Sequence, residues 1–198
     1  MAENSGTRGG VLRALAYYAL CLSPLFYLIF LAINNSLGAN PIEKLIRLTG
    51  TFTYYFIIMT LSVTPVYDIL KISYVQRYRK TLGLFSFFYG SLHFLIYAGV
   101  DHLFNFTEIF EDMIKHKRIF AGVAAYLIMI PLAVTSTRWA KKKMGGKRWK
   151  TLHRFFYLSA IASATHYLLL VKRDLREPAI YFTVVLFLLS YRMRYLKA

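Results

Sequence analysis

Cysteine and acidic residues are scarce in this sequence of 198 residues. The single cysteine, Cys21, excludes an intrachain disulfide, and no Cys-x-x-Cys-His motif is present for covalent haem attachment. No Gly-x-Gly-x-x-Gly fingerprint occurs, so we expect no dinucleotide site of the Rossmann type. The nine carboxylates lie in expected termini or loops or, for Asp68 and Asp101, at the edge of an apolar run. That placement disfavours an ion transporter, whose membrane spans usually carry acidic residues.

Apolar residues make up 57% of the chain. A membrane span needs roughly 20 such residues. Six stretches approach or reach this length: about Val11–Ile33, Thr49–Val66, Lys80–Val100, Ile119–Thr137, Trp149–Val171 and Pro178–Tyr195. The first is too long for the core of a signal peptide and is predicted to be a span. We therefore predict an all-α membrane protein, a single domain over 1–198 with about six transmembrane helices and a short N-terminal tail over about 1–10.

The distribution of basic residues predicts the orientation. Of the 25 lysines and arginines, 16 lie in the N-terminus, the 2–3 loop, the 4–5 loop and the C-terminus, 8 lie on the opposite side, and Arg154 lies at the start of the fifth span. The positive-inside rule then places both termini in the cytoplasm. Because these charges fill short gaps between apolar runs, they indicate membrane orientation and no nucleic-acid partner. The basic residues counted at the ends of the chain and in the last loop include Arg8, Arg173, Arg192, Arg194 and Lys197.

Three of the five histidines fall within predicted spans. His93 lies in the third span, and His153 and His166 lie in the fifth. Ionisable residues inside a membrane are costly and usually functional, although a single histidine can serve only as an interhelical hydrogen-bonding group. The other two, His102 and His116, fall in the 3–4 loop, where we expect solvated side chains.

The depth of these residues suggests pairing. The third and fifth spans run in the same direction, and the rise of 1.5 Å per residue puts His93 about 21 Å beyond Arg79 and His166 about 20 Å beyond His153. We therefore predict that His93 and His166 meet near the outer face and form a bis-histidine pair for haem iron. Arg79 and His153 share a level near the cytoplasmic face.

Small residues surround both helices of the expected pair. Gly83 and Gly90 precede His93 and would leave room for a macrocycle, as would the small residues before His166: Ser159, Ala162, Ser163 and Thr165. The same pattern is typical of close helix packing, which explains the glycines equally well.

Arg79 is the unusual member of the group. A guanidinium has no lone pair for iron, so Arg79 would either pair with a haem propionate or serve as one more orientation charge. If haem binds at the inner level, His153 is its only protein ligand, or the sixth ligand comes from elsewhere.

At these residues the chain resembles the ferric-reductase-like transmembrane family, which includes the NADPH oxidases. That family places two histidines fourteen residues apart on one helix and two thirteen apart on another, and here one of the four is Arg79. The resemblance is strongest in short segments: Gly38-Ala39-Asn40-Pro41, Thr49-Gly50, Thr64-Pro65, Arg79–Leu84, Thr135-Ser136-Thr137 and Gly146–His153. Within the family, the chain is most similar to haem-binding membrane subunits of bacterial methionine sulfoxide reductases.

This resemblance implies a function and a set of cofactors. It implies haem b, in one or two copies, held by His93, His153 and His166, with FMN as a further cofactor. Electrons would enter in the cytoplasm from a separate flavin reductase or from quinol. They would leave to a soluble periplasmic molybdopterin enzyme that reduces methionine sulfoxide. The chain would then be a non-catalytic electron-transfer subunit in the bacterial inner membrane. The alternatives are another haem protein of the ferric reductase type, or a membrane scaffold or transporter without haem.

Overall fold

The computed structural model describes the backbone of residues 3–172 and 174–193, with side chains from residue 10 onward. Among the residues discussed above, the side chain of Arg8 and all of Arg173, Arg194, Tyr195 and Lys197 lie outside this description. The described part is helical, with no β-strand. Its α-helices are α1 (Glu3–Ile33), α2 (Pro41–Leu70), α3 (Arg79–Leu95), α4 (Phe106–Lys115), α5 (Lys117–Val134), α6 (Arg138–Met144), α7 (Gly146–His153), α8 (Phe155–Leu170) and α9 (Arg176–Met193). A 3₁₀-helix (Ser73–Tyr78) precedes α3, and a π-helix (Ile96–Asp101) follows it.

Four predicted spans coincide with helical segments that are long and apolar enough to cross a bilayer. These are Gly10–Ile33, Pro41–Leu70, Ser73–Asp101 and Lys117–Val134. The fifth predicted span is interrupted at Arg154, between α7 and α8, and the sixth coincides with α9. These last two stay predictions as spans, as does the cytoplasmic side of the termini. Helix α1 begins at Glu3, within the predicted N-terminal tail, and its candidate span begins at Gly10.

The helix ends show why several quoted segments matter for the fold. Asn40 caps α2 by accepting a hydrogen bond from the Glu43 backbone N–H, and Pro41 occupies the first turn, where its missing N–H costs nothing. Gly38, in the preceding turn, has φ +85°, which favours glycine. Thr137 caps α6 in the same way through the Ala140 N–H.

The main helices form a closed ring. The most extensive packing is of α2 on α3 and of α5 on α8, while α3 packs on α5, and α9 joins α8 to α2. One core cluster lies between α2, α8 and α9 around Ile57 and Val185, and a second joins α1, α2 and α3 around Tyr89. Because these helices alternate in direction, the end of α3, the end of α8 and the starts of α2 and α5 lie at one end of the bundle. We call it the outer end, after the predicted orientation, and the opposite end the inner end.

Two side-chain hydroxyls, one from α1 itself and one from α3, bond the backbone of α1 around its internal proline. In α1, Pro24 cannot donate to the Leu20 carbonyl, and the Ser23 hydroxyl donates to it at 2.8 Å. One residue further on, the buried Tyr89 hydroxyl donates to the Cys21 carbonyl and accepts from the Leu25 N–H. Insertion of a side chain into the helical hydrogen-bond ladder is a recognised cause of a helix bend.

Candidate haem site

His93 of α3 and His166 of α8 face each other at the outer end of the bundle. Their ring centroids lie 6.2 Å apart, and the ring planes meet at 74°. The structure thus brings together the two histidines that helical rise alone placed at one level. Hydrogen bonds to the backbone of the neighbouring helices hold both rings.

Each ring is held through the same nitrogen. His93 Nδ1 lies 2.8 Å from the Ile46 carbonyl oxygen, and His166 Nδ1 lies 2.6 Å from that of Arg118. A carbonyl can only accept, so Nδ1 carries the proton and donates in both rings. The lone pair is then on Nε2, which is the tautomer that a metal-ligating histidine requires.

A glycine stands beside each ring. A β-carbon at Gly50 would lie 3.1 Å from His93 Nδ1, and one at Gly122 would lie 2.8 Å from His166 Nδ1. Each glycine follows, by one helical turn, the residue whose carbonyl accepts from the histidine (Ile46 and Arg118). The absent side chain is therefore what lets the imidazole reach the helix backbone.

The two halves of the site repeat one construction. In each half, a histidine near the end of one long helix donates to a carbonyl in the first turns of the preceding long helix. A glycine four residues after that carbonyl leaves room for the imidazole ring. The carbonyl and the histidine are 47 residues apart in the α2–α3 half and 48 apart in the α5–α8 half. No repeat is visible in the sequence, because only the glycine, the histidine and the spacing recur.

The glycines selected in the sequence analysis have another role. A β-carbon at Gly83 would meet Thr60 at 3.7 Å, and one at Gly90 would meet Thr53 at 3.5 Å. Both are ordinary contacts between α2 and α3. The close-packing explanation therefore accounts for Gly83 and Gly90, whereas Gly50 and Gly122 make room for the histidines.

The arrangement fits the iron of a haem. In a five-membered ring with bonds of about 1.33 Å, each nitrogen lies about 1.1 Å from the centroid. Two such nitrogens bound to opposite sides of one metal at about 2.0–2.1 Å would hold the centroids about 6.2–6.4 Å apart. The observed 6.2 Å agrees with this separation. Within the described residues no group of three or more His, Cys, Asp or Glu could hold a metal ion. Two protein ligands suit haem, whose porphyrin supplies the other donors.

His153, at the inner end, has a different environment. Its Nε2 lies 3.1 Å from the Thr135 hydroxyl oxygen, and its ring stacks on Trp149 with centroids 3.9 Å apart. The Thr135 hydroxyl already donates to the Pro131 carbonyl at 2.6 Å, so the histidine Nε2–H donates to Thr135. Trp149 Nε1 also donates to the Thr135 carbonyl, which joins the three side chains in one unit. In this arrangement the free lone pair of His153 is on Nδ1.

Arg79 lies at the same end as His153, as the helical rise predicted. It begins α3 and is close enough to His153 of α7 and Tyr157 of α8 to act on both electrostatically. Its side chain is otherwise exposed. Arg79 therefore lies at the inner end, within electrostatic reach of the inner histidine.

Arg192 of α9 is an inner-end residue that the sequence analysis treated only as an orientation charge. It is 3% exposed, and its guanidinium donates to the Thr60 and Leu61 carbonyls and to the Tyr157 hydroxyl. Pro65 has no N–H to offer the Leu61 carbonyl one turn earlier in α2, so that oxygen needs another donor. The Thr64-Pro65 pair was the one signal in the sequence that could have pointed to this need.

His102 does not match the prediction of a solvated loop side chain. Only 12% of its side chain is exposed, and carboxylate oxygens of Asp101, Glu108 and Asp112 lie 3.7–3.8 Å from its ring nitrogens. The ring also packs against Tyr97, with centroids 4.6 Å apart. The expectation was wrong because the π-helix after α3 folds the loop back over the outer end. His116 is more open, with 40% of its side chain exposed.

Comparison with known proteins gives one consistent result. The family model described as "Ferric reductase like transmembrane component" matches residues 20–164. The chain is 40% identical to the protein-methionine-sulfoxide reductase heme-binding subunit MsrQ of Rhodospirillum rubrum over 90% of this chain and 86% of that protein. It is 40% identical to MsrQ of Herminiimonas arsenicoxydans over 89% of this chain and 82% of that protein.

A longer protein contains a similar segment. Magnetosome protein MamZ of Magnetospirillum gryphiswaldense is 41% identical over 80% of this chain, which corresponds to 24% of that protein. No solved structure matches the chain. The resemblance noted on the sequence is thus confirmed over nearly its whole length: this chain is a multi-pass membrane protein that belongs to the ferric-reductase-like transmembrane family.

Proposed function

We propose that this chain is the haem-carrying electron-transfer subunit of a methionine sulfoxide reductase system in the bacterial inner membrane. The observation that carries the proposal is the pair His93 and His166, with both Nδ1 atoms bonded to backbone carbonyls and ring centroids 6.2 Å apart. In a scaffold without haem, one hydrogen bond for each histidine would be enough, and the two rings would have no reason to face each other. Bound haem would supply a carrier that takes up and gives up one electron at a time.

In the outer pair, hydrogen bonds from Nδ1 leave Nε2 of each ring as the proposed ligand nitrogen. Donation from Nδ1 to a helix carbonyl fixes the tautomer and the ring orientation of His93 and of His166. Gly50 and Gly122 set the distance of each ring from the helix that accepts this bond. We propose both glycines as positioning residues of the haem site.

We propose the inner end as a second haem site, with His153 as ligand and Arg79 as the partner of a propionate. Arg79 can serve only as a cation and hydrogen-bond donor. Because His153 Nε2 donates to Thr135, ligation there uses Nδ1 or requires the ring to turn away from that hydroxyl. The inner site is thus less prepared than the outer one, and we expect its haem to be bound more weakly.

The printed names of the relatives concern a heme-binding subunit of a protein-methionine-sulfoxide reductase. A subunit of this kind has a catalytic partner, and we propose a soluble periplasmic molybdopterin enzyme. We propose that the electron donor is a separate molecule, either a cytoplasmic flavin reductase or quinol. FMN is a further cofactor that we propose without assigning residues to it. The chain itself would carry no catalytic residue.

A pyridine haemochrome assay on the purified full chain, expressed with sufficient haem, tests this function. We expect non-covalent haem b at one or two equivalents, lost in part from His93→Ala and from His153→Ala. His116→Ala is the matched control, because the side chain of this histidine is 40% exposed and lies near Asp112, away from the two rings of the outer pair. A chain that purifies folded but without haem would instead support the scaffold.

A further inference from the structure

The short helix α4 at the outer end has an apolar side that the protein does not cover. Phe106, Phe110 and Ile114 recur every four residues, so they share one face of the helix. Their exposed fractions are 72%, 62% and 70%. At ten residues, α4 is about 15 Å long, which is half of what a transmembrane helix needs. This face therefore cannot be explained as part of another span.

The rest of α4 is arranged as in an amphipathic helix. Ile109, with 6% exposure, packs against the protein. The acidic residues Glu108, Glu111 and Asp112 lie on the side opposite the exposed apolar face, together with Lys115. The apolar face of the helix is thus wider than the part that packs against the protein. The remaining apolar side chains point away from the protein.

The exposed face of α4 continues onto a helix long and apolar enough to span the membrane. Phe110, Met113 and Ile114 line an open groove together with Lys117 and Phe120 of α5. Further along α5, Leu127 and Val134 are also largely exposed and follow Phe120 at intervals of seven residues, which places them on one side. Because α5 is one of the candidate spans, this side faces lipid. The apolar face of α4 therefore adjoins a surface that the bilayer already covers.

The loop before α4 also exposes apolar residues, and two of them have a strained backbone conformation. Leu103 has φ +48° and Phe104 has φ +58°, a left-handed conformation that bulky residues rarely adopt. Leu103 is among the most exposed side chains of the chain, and the Phe104 ring rests on Gly99, where a β-carbon would lie 2.7 Å away. Strain of this kind persists only where the surroundings compensate for it.

We propose that α4 lies in the lipid–water interface at the outer end, with Phe106, Phe110 and Ile114 among the acyl chains of the outer leaflet. The carboxylates of Glu108 and Glu111 then face water. This is the arrangement of an interfacial amphipathic helix, whose apolar face enters the boundary between headgroups and acyl chains. The Tyr97 hydroxyl donates to Asp112 at 3.3 Å, so α4 is joined to the π-helix that follows His93. The bilayer surface thereby supports α4 and, through it, the π-helix at the outer end.

Spin labelling of the full chain in lipid nanodiscs tests this placement without reference to haem. Cys21 is the single cysteine, so Cys21→Ala provides the background for Phe110→Cys, Ile114→Cys and the matched control Glu111→Cys. Leu127→Cys serves as the lipid-facing reference. Collision with oxygen, which concentrates in lipid, is compared with collision with a nickel chelate, which stays in water.

We expect the oxygen-to-nickel ratio at 110 and 114 to shift toward that at 127, and the ratio at 111 to remain that of a water-exposed site. Equal nickel access at 110, 114 and 111 would overturn the proposal. Protection of 110 and 114 from both reagents would also overturn it, since a protein surface or a second copy of the chain would then cover the face. A label at Phe106 gives the same readout if either neighbouring variant fails to fold.

Discussion

Gly122 and His166 are so close that a β-carbon on residue 122 would lie 2.8 Å from the histidine Nδ1. Real β-carbons essentially never approach another atom this closely, so either the ring or helix α5 would have to move. The hydrogen bond from His166 to the Arg118 carbonyl runs through the same space. The absence of a side chain at 122 is therefore a condition for the orientation of His166.

Gly122→Ala should loosen the outer haem. Displacing the ring disturbs the bond that orients the ligand, and loss of such supporting contacts typically lowers metal affinity about 10–100-fold. We expect a lower haem-to-protein ratio and a change in the visible spectrum of the haem that remains. Gly83→Ala is the matched control, because its β-carbon would meet only Thr60 at 3.7 Å. Equal haem content in the two variants would count against the role of Gly122.

Gly50→Ala should have the same effect through His93, but a smaller one. The added β-carbon would lie 3.1 Å from two ring atoms, a contact that a small shift can relieve. The comparison of haem content in Gly50→Ala, Gly122→Ala and the double variant checks whether the two halves of the site act on one haem. Additive loss at two independent haem signals would contradict a shared iron.

Replacement of His153 or Arg79 should affect a separate haem signal. His153→Ala removes the proposed inner ligand, and Arg79→Ala removes the cation beside it, so both should lower the inner haem signal and leave the outer one. Haem content and a redox titration of each variant measure this. A map of cysteine accessibility should show unchanged membrane orientation in Arg79→Ala. An unchanged haem-to-protein ratio in His153→Ala would exclude an inner haem on this residue.

Arg192 should matter for stability. Arg192→Leu leaves the buried Leu61 carbonyl without its donor, and an unsatisfied buried polar group costs about 1–3 kcal/mol. We expect a lower Tm in detergent for Arg192→Leu and a partial recovery for Arg192→Lys. The exposed Arg154→Leu serves as control, with little change in Tm. Equal Tm values for Arg192→Leu and wild type would show that water reaches the carbonyl.

Those features of the site that depend only on regular helix geometry could be predicted from the sequence. The rise of an α-helix is constant, so the level shared by His93 and His166 followed from residue numbers and the direction of two spans. The same reasoning placed Arg79 and His153 at one end of the bundle, and the structure has both there. Membrane helices were recognisable because a span demands a long apolar run, which four segments satisfy by both length and hydropathy.

Contacts between helices distant in sequence could not be predicted in the same way. Gly83 and Gly90 looked relevant because they share a helix with His93, whereas the glycine that matters, Gly50, is on α2. Arg192 resembled an orientation charge because its acceptor, Leu61, is 131 residues away. His102 looked solvated because the fold of the loop after α3 depends on a π-helix that the apolar pattern does not reveal.

The most direct test of the account is electron paramagnetic resonance of the oxidised, haem-loaded protein. Two imidazoles on one ferric iron give a low-spin signal, and ring planes near 74° should make it strongly anisotropic, with a large highest g value. We predict that His93→Ala and His166→Ala each abolish this one signal, and that His116→Ala retains it. If the strongly anisotropic low-spin signal itself survives in either of the first two variants, these histidines do not share an iron.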